Sequence, residues 1–156
     1  MSIAAKNSSL RLEEIVQTDA RFSSKGTYLL EMNNLSVNLD IKIGNAGILK
    51  LERGFYYYIG SAYGPGNLRA RLARHLRKEK KKHWHIDYLL RYLEITNIWI
   101  SCGNRENEHV WSKTLTKEST IIAPMQGFGS SDCQCKTHLF FSRRKIYDQK
   151  IDTLLM

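Results

Sequence analysis

Three consecutive tyrosines run into a glycine-proline turn and then into a strongly basic helix, and this constrains the chain more than any other feature. The stretch is Tyr56-Tyr57-Tyr58-Ile59-Gly60-Ser61-Ala62-Tyr63-Gly64-Pro65-Gly66-Asn67, followed by Leu68-Arg69-Ala70-Arg71-Leu72-Ala73-Arg74-His75. Aromatic and β-branched residues that end in Gly64-Pro65-Gly66 predict a strand and a tight turn. Asn67 is then a good N-cap, because its side-chain oxygen can accept an orphan N–H of the first helical turn. Leu68, Leu72 and Leu76 recur at i, i+4 and mark the buried stripe of that helix. Arg71 and His75 have the same spacing and share a second face. A tyrosine strand end beside an Arg/His helical face is suited to holding a phosphate.

The flanking pattern completes a fold class. Thr27 to Met32 reads as a strand. In Ser36 to Ile43, the apolar Val37, Leu39, Ile41 and Ile43 alternate with Asn38, Asp40 and Lys42, the signature of a half-buried strand. Gly44-Asn45-Ala46-Gly47 turns the chain, and Ile48 to Glu52 and Phe55 to Ser61 follow as one bent strand or two. Such short turns cannot hold a parallel crossover, so an antiparallel meander is expected. After the basic helix, Arg77 to Lys82 is a charge run, and His83 to Tyr92 starts a second helix. Ile95 to Cys102 is a strand. Asn104 is positioned to cap a helix over Arg105 to Thr116. Met125 to Lys136 is a Gly/Ser-rich loop, and His138 to Ser142 a short last strand. Leu154 and Leu155 lie in a stretch the pattern leaves unassigned. The expectation is an α/β (α+β) fold: a small central antiparallel β-sheet flanked by helices. Residues 26–156 would form a single domain, behind an extension of residues 1–25 in which Leu10, Leu12, Ile15 and Val16 could form a short amphipathic helix.

Charge narrows the partners. The chain has 24 basic and 15 acidic residues, a net charge of +9, which steers it toward anions. Three cysteines, two of them too close in sequence for an easy disulfide, fit a reduced, cytoplasmic setting. No apolar run approaches the length of a membrane span, and the N-terminus lacks a secretory apolar region. A secreted or membrane-embedded protein is not expected.

Gly26-Thr27-Tyr28, then Tyr58-Ile59-Gly60, then Arg71 and His75 on the next helix, resemble the GIY-YIG endonuclease superfamily. The likeness is to its branch of stand-alone prokaryotic domains, in which a similar module is sometimes fused to endonuclease III. It extends to His83–Leu90 and Gly127–Phe140. It departs from the better-known nucleases at Thr27, where their first motif has Ile, and in having no clear counterpart of their late asparagine.

The resemblance implies hydrolysis of DNA phosphodiester bonds, in DNA repair or processing. Its catalytic residues would be Tyr28, Tyr58, Arg71 and His75. Glu108, with Trp111 three residues on, would hold Mg²⁺ or Mn²⁺, with Glu106 the nearest competitor. One carboxylate suffices for Mg²⁺, which keeps several waters and takes substrate phosphate as a ligand. Arg offers a planar fork for two phosphate oxygens. Arg69, Arg74, Arg77, Lys80, Lys81 and Lys82 would grip the nucleic-acid backbone without reading sequence. The partners implied are duplex or branched DNA and DNA-repair proteins. A non-cleaving nucleic-acid-binding module of the same fold is the alternative.

Ordinary structural roles compete with each assignment. Strand tyrosines commonly pack, helix arginines commonly face water, and an acidic first turn commonly holds an exposed glutamate. His83-Trp84-His85-Ile86-Asp87 and Cys133-Gln134-Cys135-Lys136-Thr137-His138 have ligand-like spacing. Cys-x-Cys is shorter than the usual finger, so a zinc ion is not the expected reading. The expected role of Gly127 to Cys133 is a structured lid near the site, with His85, Asp87, Asp132, Cys133 and His138 supporting it.

Overall fold

The computed structural model describes residues 2–4, 10–36 and 38–156. Val37 of the alternating strand, and Met1 and residues 5–9 of the N-terminal extension, lie outside the described residues.

Two long strands form the centre. β2 (Gly26–Asn34) and β5 (Gly54–Ser61) pair antiparallel from Thr27 opposite Ser61 to Asn34 opposite Gly54. β6 (Glu94–Cys102) lies on the other side of β2, with β1 (Ser2–Ala4) beyond it. β7 (Leu139–Ser142) flanks β5. The sheet order is β1-β6-β2-β5-β7, with every ladder antiparallel. The short turns did predict antiparallel pairing, but the simple meander is corrected. β3 (Leu39–Ile43) and β4 (Gly47–Leu51) pair only with each other, as a hairpin set between β2 and β5.

Two contacts close the base of that hairpin and send the chain back into the main sheet. The Asn34 side-chain N–H donates to the Glu52 carbonyl at 2.8 Å. Gly54 has φ 148°, and a Cβ there would stand 2.7 Å from the Phe141 ring and 2.8 Å from the Ser142 carbonyl oxygen. The kink at Arg53-Gly54 therefore separates two strands in two sheets.

Strand alternation sorts the core into two layers. Tyr28, Leu30, Tyr56, Tyr58 and Ile98 pack on one side with α1 (Leu12–Thr18), α2 (Leu68–Leu76) and α3 (His85–Leu89). Leu29, Tyr57, Ile59, Trp99 and Phe140 pack on the other. There they meet Trp111 and Leu115 of α4 (Asn107–Lys117) and Ile151 of α5 (Asp148–Leu155). The expected fold class, a small α+β domain with helices flanking an antiparallel sheet, is what the chain forms.

Local chemistry sets the helix ends. The Asn67 side chain accepts from the Ala70 N–H at 3.0 Å, as predicted. The second helix is shorter than its sequence pattern, because the Asp87 carboxylate accepts the His83 and Trp84 N–H groups at 2.8 and 2.9 Å and starts the helix at His85. α4 begins at Asn107 rather than Arg105. Asn104 accepts the Glu106 N–H at 3.0 Å and closes the preceding turn, so it does not cap the helix. The unassigned stretch with Leu154 and Leu155 is α5. At the N-terminal side, Arg69 of α2 donates to the carbonyls of Val16 and Asp19 at 3.0 Å each and ties α1 to the core. Among the described residues, no helix is long and apolar enough to cross a membrane.

Candidate active site

The β2–β5 register sets the first pair of side chains. Tyr28 stands opposite Gly60, and Tyr58 lies two residues before Gly60 on the same strand. Both phenols therefore rise from one face of the sheet, with ring centroids 6.5 Å apart. Helix α2 crosses above them. The Tyr28 hydroxyl and His75 Nε2 are 2.7 Å apart in a buried hydrogen bond, and the His75 ring stands edge-on to Tyr58. Tyr28, Tyr58 and His75 are 1%, 7% and 2% exposed.

Burial sets their protonation. It lowers His75 to about 3, so the imidazole is neutral at neutral pH, and its Nδ1 has no hydrogen-bond partner among the described residues. Burial and the neighbouring Tyr58 raise the Tyr28 phenol well above its ordinary value, and burial and the Glu108 charge raise Tyr58. The Arg71 charge pulls both down but does not win. Both tyrosines therefore keep their protons and serve as hydrogen-bonding groups, while unassisted base chemistry is disfavoured.

Trp84 joins the second tier. Its ring packs edge-on to His75, and the guanidinium groups of Arg71 and Arg74 each lie 4.2 Å from its centroid. The two arginines differ in everything else. Arg74 forks onto Asp87, with N–O distances of 2.9 Å to both carboxylate oxygens, and donates to the Lys81 carbonyl. Burial raises the Asp87 carboxyl, but the Arg74 fork and the Trp84 and His83 amides outweigh it and hold the group below its ordinary value. The Arg71 side chain makes no hydrogen bond among the described residues, so its fork is held by stacking and open to a ligand.

Glu108 reaches this region from the opposite layer. It sits in the first turn of α4 and lines the same cleft as Ser61 at the end of β5. Burial raises the carboxyl above its ordinary value. Ser61, His109 and Arg71 pull it down, and Asp132 adds to the rise. Ser61, Tyr63, Arg105, Glu108, His109, Asp132, Cys133 and His138 surround an open cleft of about 260 Å³. Glu106 is exposed at the start of α4. Trp111 faces the other core layer and donates its indole N–H to the Leu155 carbonyl at 3.0 Å.

The basic residues divide into two groups. Arg69 and Arg74 bond internally, as described above. Lys80 folds back over the end of α2 and donates to the carbonyls of Arg74, His75 and Arg77 at 3.1, 2.6 and 2.7 Å. That is a helix C-terminal cap made by a cation. Arg77, Lys81 and Lys82 are exposed, and Lys82 also lies 4.8 Å over the Tyr88 ring.

The loop between Met125 and His138 packs onto the site. Gly127 N–H bonds to the Lys136 carbonyl and His138 N–H to the Phe128 carbonyl, which closes the loop on itself. Gly129 N–H donates to His85 Nδ1 at 3.0 Å, and Phe128 packs edge-on against both His85 and Tyr58. His85 therefore holds the loop down, while Asp87 acts through Arg74 of α2 and the start of α3. The loop brings Cys133 and Cys135 to His109 and His138. Sequence reasoning did not single out His109, Ser61 or Trp84. For His109 the one available signal is its place next to Glu108, which carries no weight without the fold.

Residues 27–155 match the sequence model described as "Domain of unknown function DUF123", and the chain belongs to that family. No curated protein and no solved structure matches the chain.

Proposed function

We propose that this protein is a metal-dependent nuclease that hydrolyses DNA phosphodiester bonds, and that its active site lies between α2, the end of β5 and the start of α4. The observation that carries the reading is the convergence of Tyr28, Tyr58, His75 and the unpaired Arg71 fork on the layer that Glu108 reaches from the other side of the sheet. The GIY-YIG resemblance of the sequence points the same way, and the net charge of +9 suits a polyanion.

Each residue has a role that its surroundings support. Arg71 binds two non-bridging phosphate oxygens, and its stacking on Trp84 fixes the plane of the fork. Tyr28 and Tyr58, both protonated, position the attacking water or the phosphate. His75, neutral at neutral pH, orients the Tyr28 hydroxyl through their buried hydrogen bond. Glu108 fits a hard cation: its carboxyl is raised by burial, and Ser61 and Asp132 add oxygen donors on the same cleft. A bound Mg²⁺ or Mn²⁺ would supply charge neutralisation at the scissile phosphate. Arg77, Lys81 and Lys82 attract the backbone without reading bases.

The burial of Tyr28 and His75 favours a second reading, a module of the same fold that binds nucleic acid without cutting it. A panel of duplex, nicked, branched, abasic and single-stranded DNA, assayed with Mg²⁺, Mn²⁺ and chelator, decides between them. Metal-dependent scission supports the nuclease. Tight binding with no cleavage on any substrate supports the binding module.

A further inference from the structure

We infer that His109, Cys133, Cys135 and His138 form a zinc site that fastens the Met125–His138 loop to α4. One ligand atom from each residue lies within 4.8 Å of the other three. His109 Nδ1 is 3.2 Å from Cys135 Sγ, and Cys133 Sγ is 3.6 Å from His138 Nε2. Tetrahedral zinc, with bonds of about 2.0–2.3 Å, has ligand–ligand edges of roughly 3.3–3.8 Å. The two pairs already stand near those edges. Two thiols and two imidazoles, supplied by the chain alone, are the donor set of a closed structural zinc site rather than a magnesium site.

The sequence spacing argued against zinc because Cys-x-Cys is short for a finger. The fold removes that objection, since the other two ligands come from separate elements. His109 projects from the start of α4, and His138 sits just ahead of β7. The loop between them carries Gly127 and Gly129 at φ 73° and 69° and only a few internal backbone hydrogen bonds. A metal crosslink to α4 adds to the anchorage given by Ser112 Oγ, which donates to the Thr137 carbonyl at 2.7 Å, and by His85, which accepts the Gly129 N–H.

The orientation of His138 adds an independent observation. Its ring is 2% exposed, with Nε2 toward Cys133 and Nδ1 at 3.4 Å from Glu108 Oε1. Nδ1 has no better-placed hydrogen-bond partner among the described residues. Ligation through Nε2 fixes the proton on Nδ1, where it faces the Glu108 carboxylate. That is the carboxylate–histidine–zinc relay by which a metal site orients a neighbouring side chain.

The site borders the cleft that Glu108 lines, but it does not rest on the nuclease reading, and its test uses no substrate. The full chain, without an affinity tag that binds metal, is purified from zinc-supplemented culture, and its metal content is measured. The expected result is one zinc per chain. Replacement by Co²⁺ is expected to give the intense visible bands of a tetrahedral site and thiolate charge-transfer absorption. Cys133→Ser, Cys135→Ser and His109→Ala should each abolish stoichiometric zinc, whereas Cys102→Ser should keep it. Glu108→Gln should also keep zinc. Wild-type protein that purifies without zinc and takes up Co²⁺ only in octahedral form overturns the proposal, whatever the variants do. Loss of zinc in Glu108→Gln with the Cys133 and Cys135 variants still loaded overturns the ligand set.

Discussion

Gly60 stands directly opposite Tyr28 in the β2–β5 ladder, and the place its missing Cβ would occupy is filled by the Tyr28 hydroxyl. The glycine that closes the tyrosine strand is therefore there for the phenol, not for the backbone, since Gly60 is not among the glycines with positive φ. Gly60→Ala should destabilise the fold by about 1–3 kcal/mol, the range for overpacking a tight interior. Gly64→Ala, at an exposed position whose Cβ would meet nothing within 4 Å, is the control and should change stability little. Urea unfolding of both variants measures the difference.

Acid should weaken the fold through His75. Its folded-state value of about 3 lies below the ordinary 6.5, so between these the unfolded chain binds the extra proton. This contribution is constant above pH 6.5 and is lost as pH falls toward 3. The full shift corresponds to a loss on the order of 5 kcal/mol. Glu108, raised by burial, acts with the opposite sign and offsets part of the loss. Stability measured between pH 7 and 4 should fall less steeply in His75→Phe than in the parent.

The metal assignment predicts a separation of rate from affinity. Glu108→Gln keeps the shape but removes the carboxylate that hard cations prefer. Single-turnover cleavage should collapse, while DNA affinity holds or rises because a negative charge is gone. Glu106→Gln should cut like the parent. Arg71→Lys keeps the charge but loses both the fork and the stacking on Trp84, and should lower the rate more than the affinity. A Glu106→Gln variant that is dead, with Glu108→Gln still active, would reverse the assignment.

The basic residues should divide by experiment as they divide in the fold. Reversing Arg77, Lys81 and Lys82 to Glu should weaken binding to every duplex sequence alike. It should also flatten the salt dependence by about 0.9 log units per log unit of salt for each phosphate no longer neutralised. Lys80→Ala should instead lower stability, since Lys80 caps the last carbonyls of α2. Fluorescence anisotropy across a salt series, with thermal unfolding of each variant, reads both effects.

Local patterns in the sequence were enough for the central strands, the Asn67-capped basic helix and the shared face of Arg71 and His75. Those features depend on periods of two and 3.6 residues and on turn chemistry, which neighbours in the chain impose on one another. Tertiary structure decided whatever depends on residues far apart in the chain. It set the β3–β4 hairpin aside from the main sheet, because the kink at Gly54 and the Asn34–Glu52 bond act between strands. It turned Arg69, Arg74 and Lys80 inward onto the Val16 and Asp19 carbonyls, Asp87 and the end of α2. From the sequence alone these residues were indistinguishable from Arg77, Lys81 and Lys82, because a basic side chain does not reveal which acceptors will lie within its reach. It also gathered His109, Cys133, Cys135 and His138 at one point. A short Cys-x-Cys carries little information about a metal until the fold supplies ligands from another helix, since coordination depends on distances in space rather than on spacing along the chain.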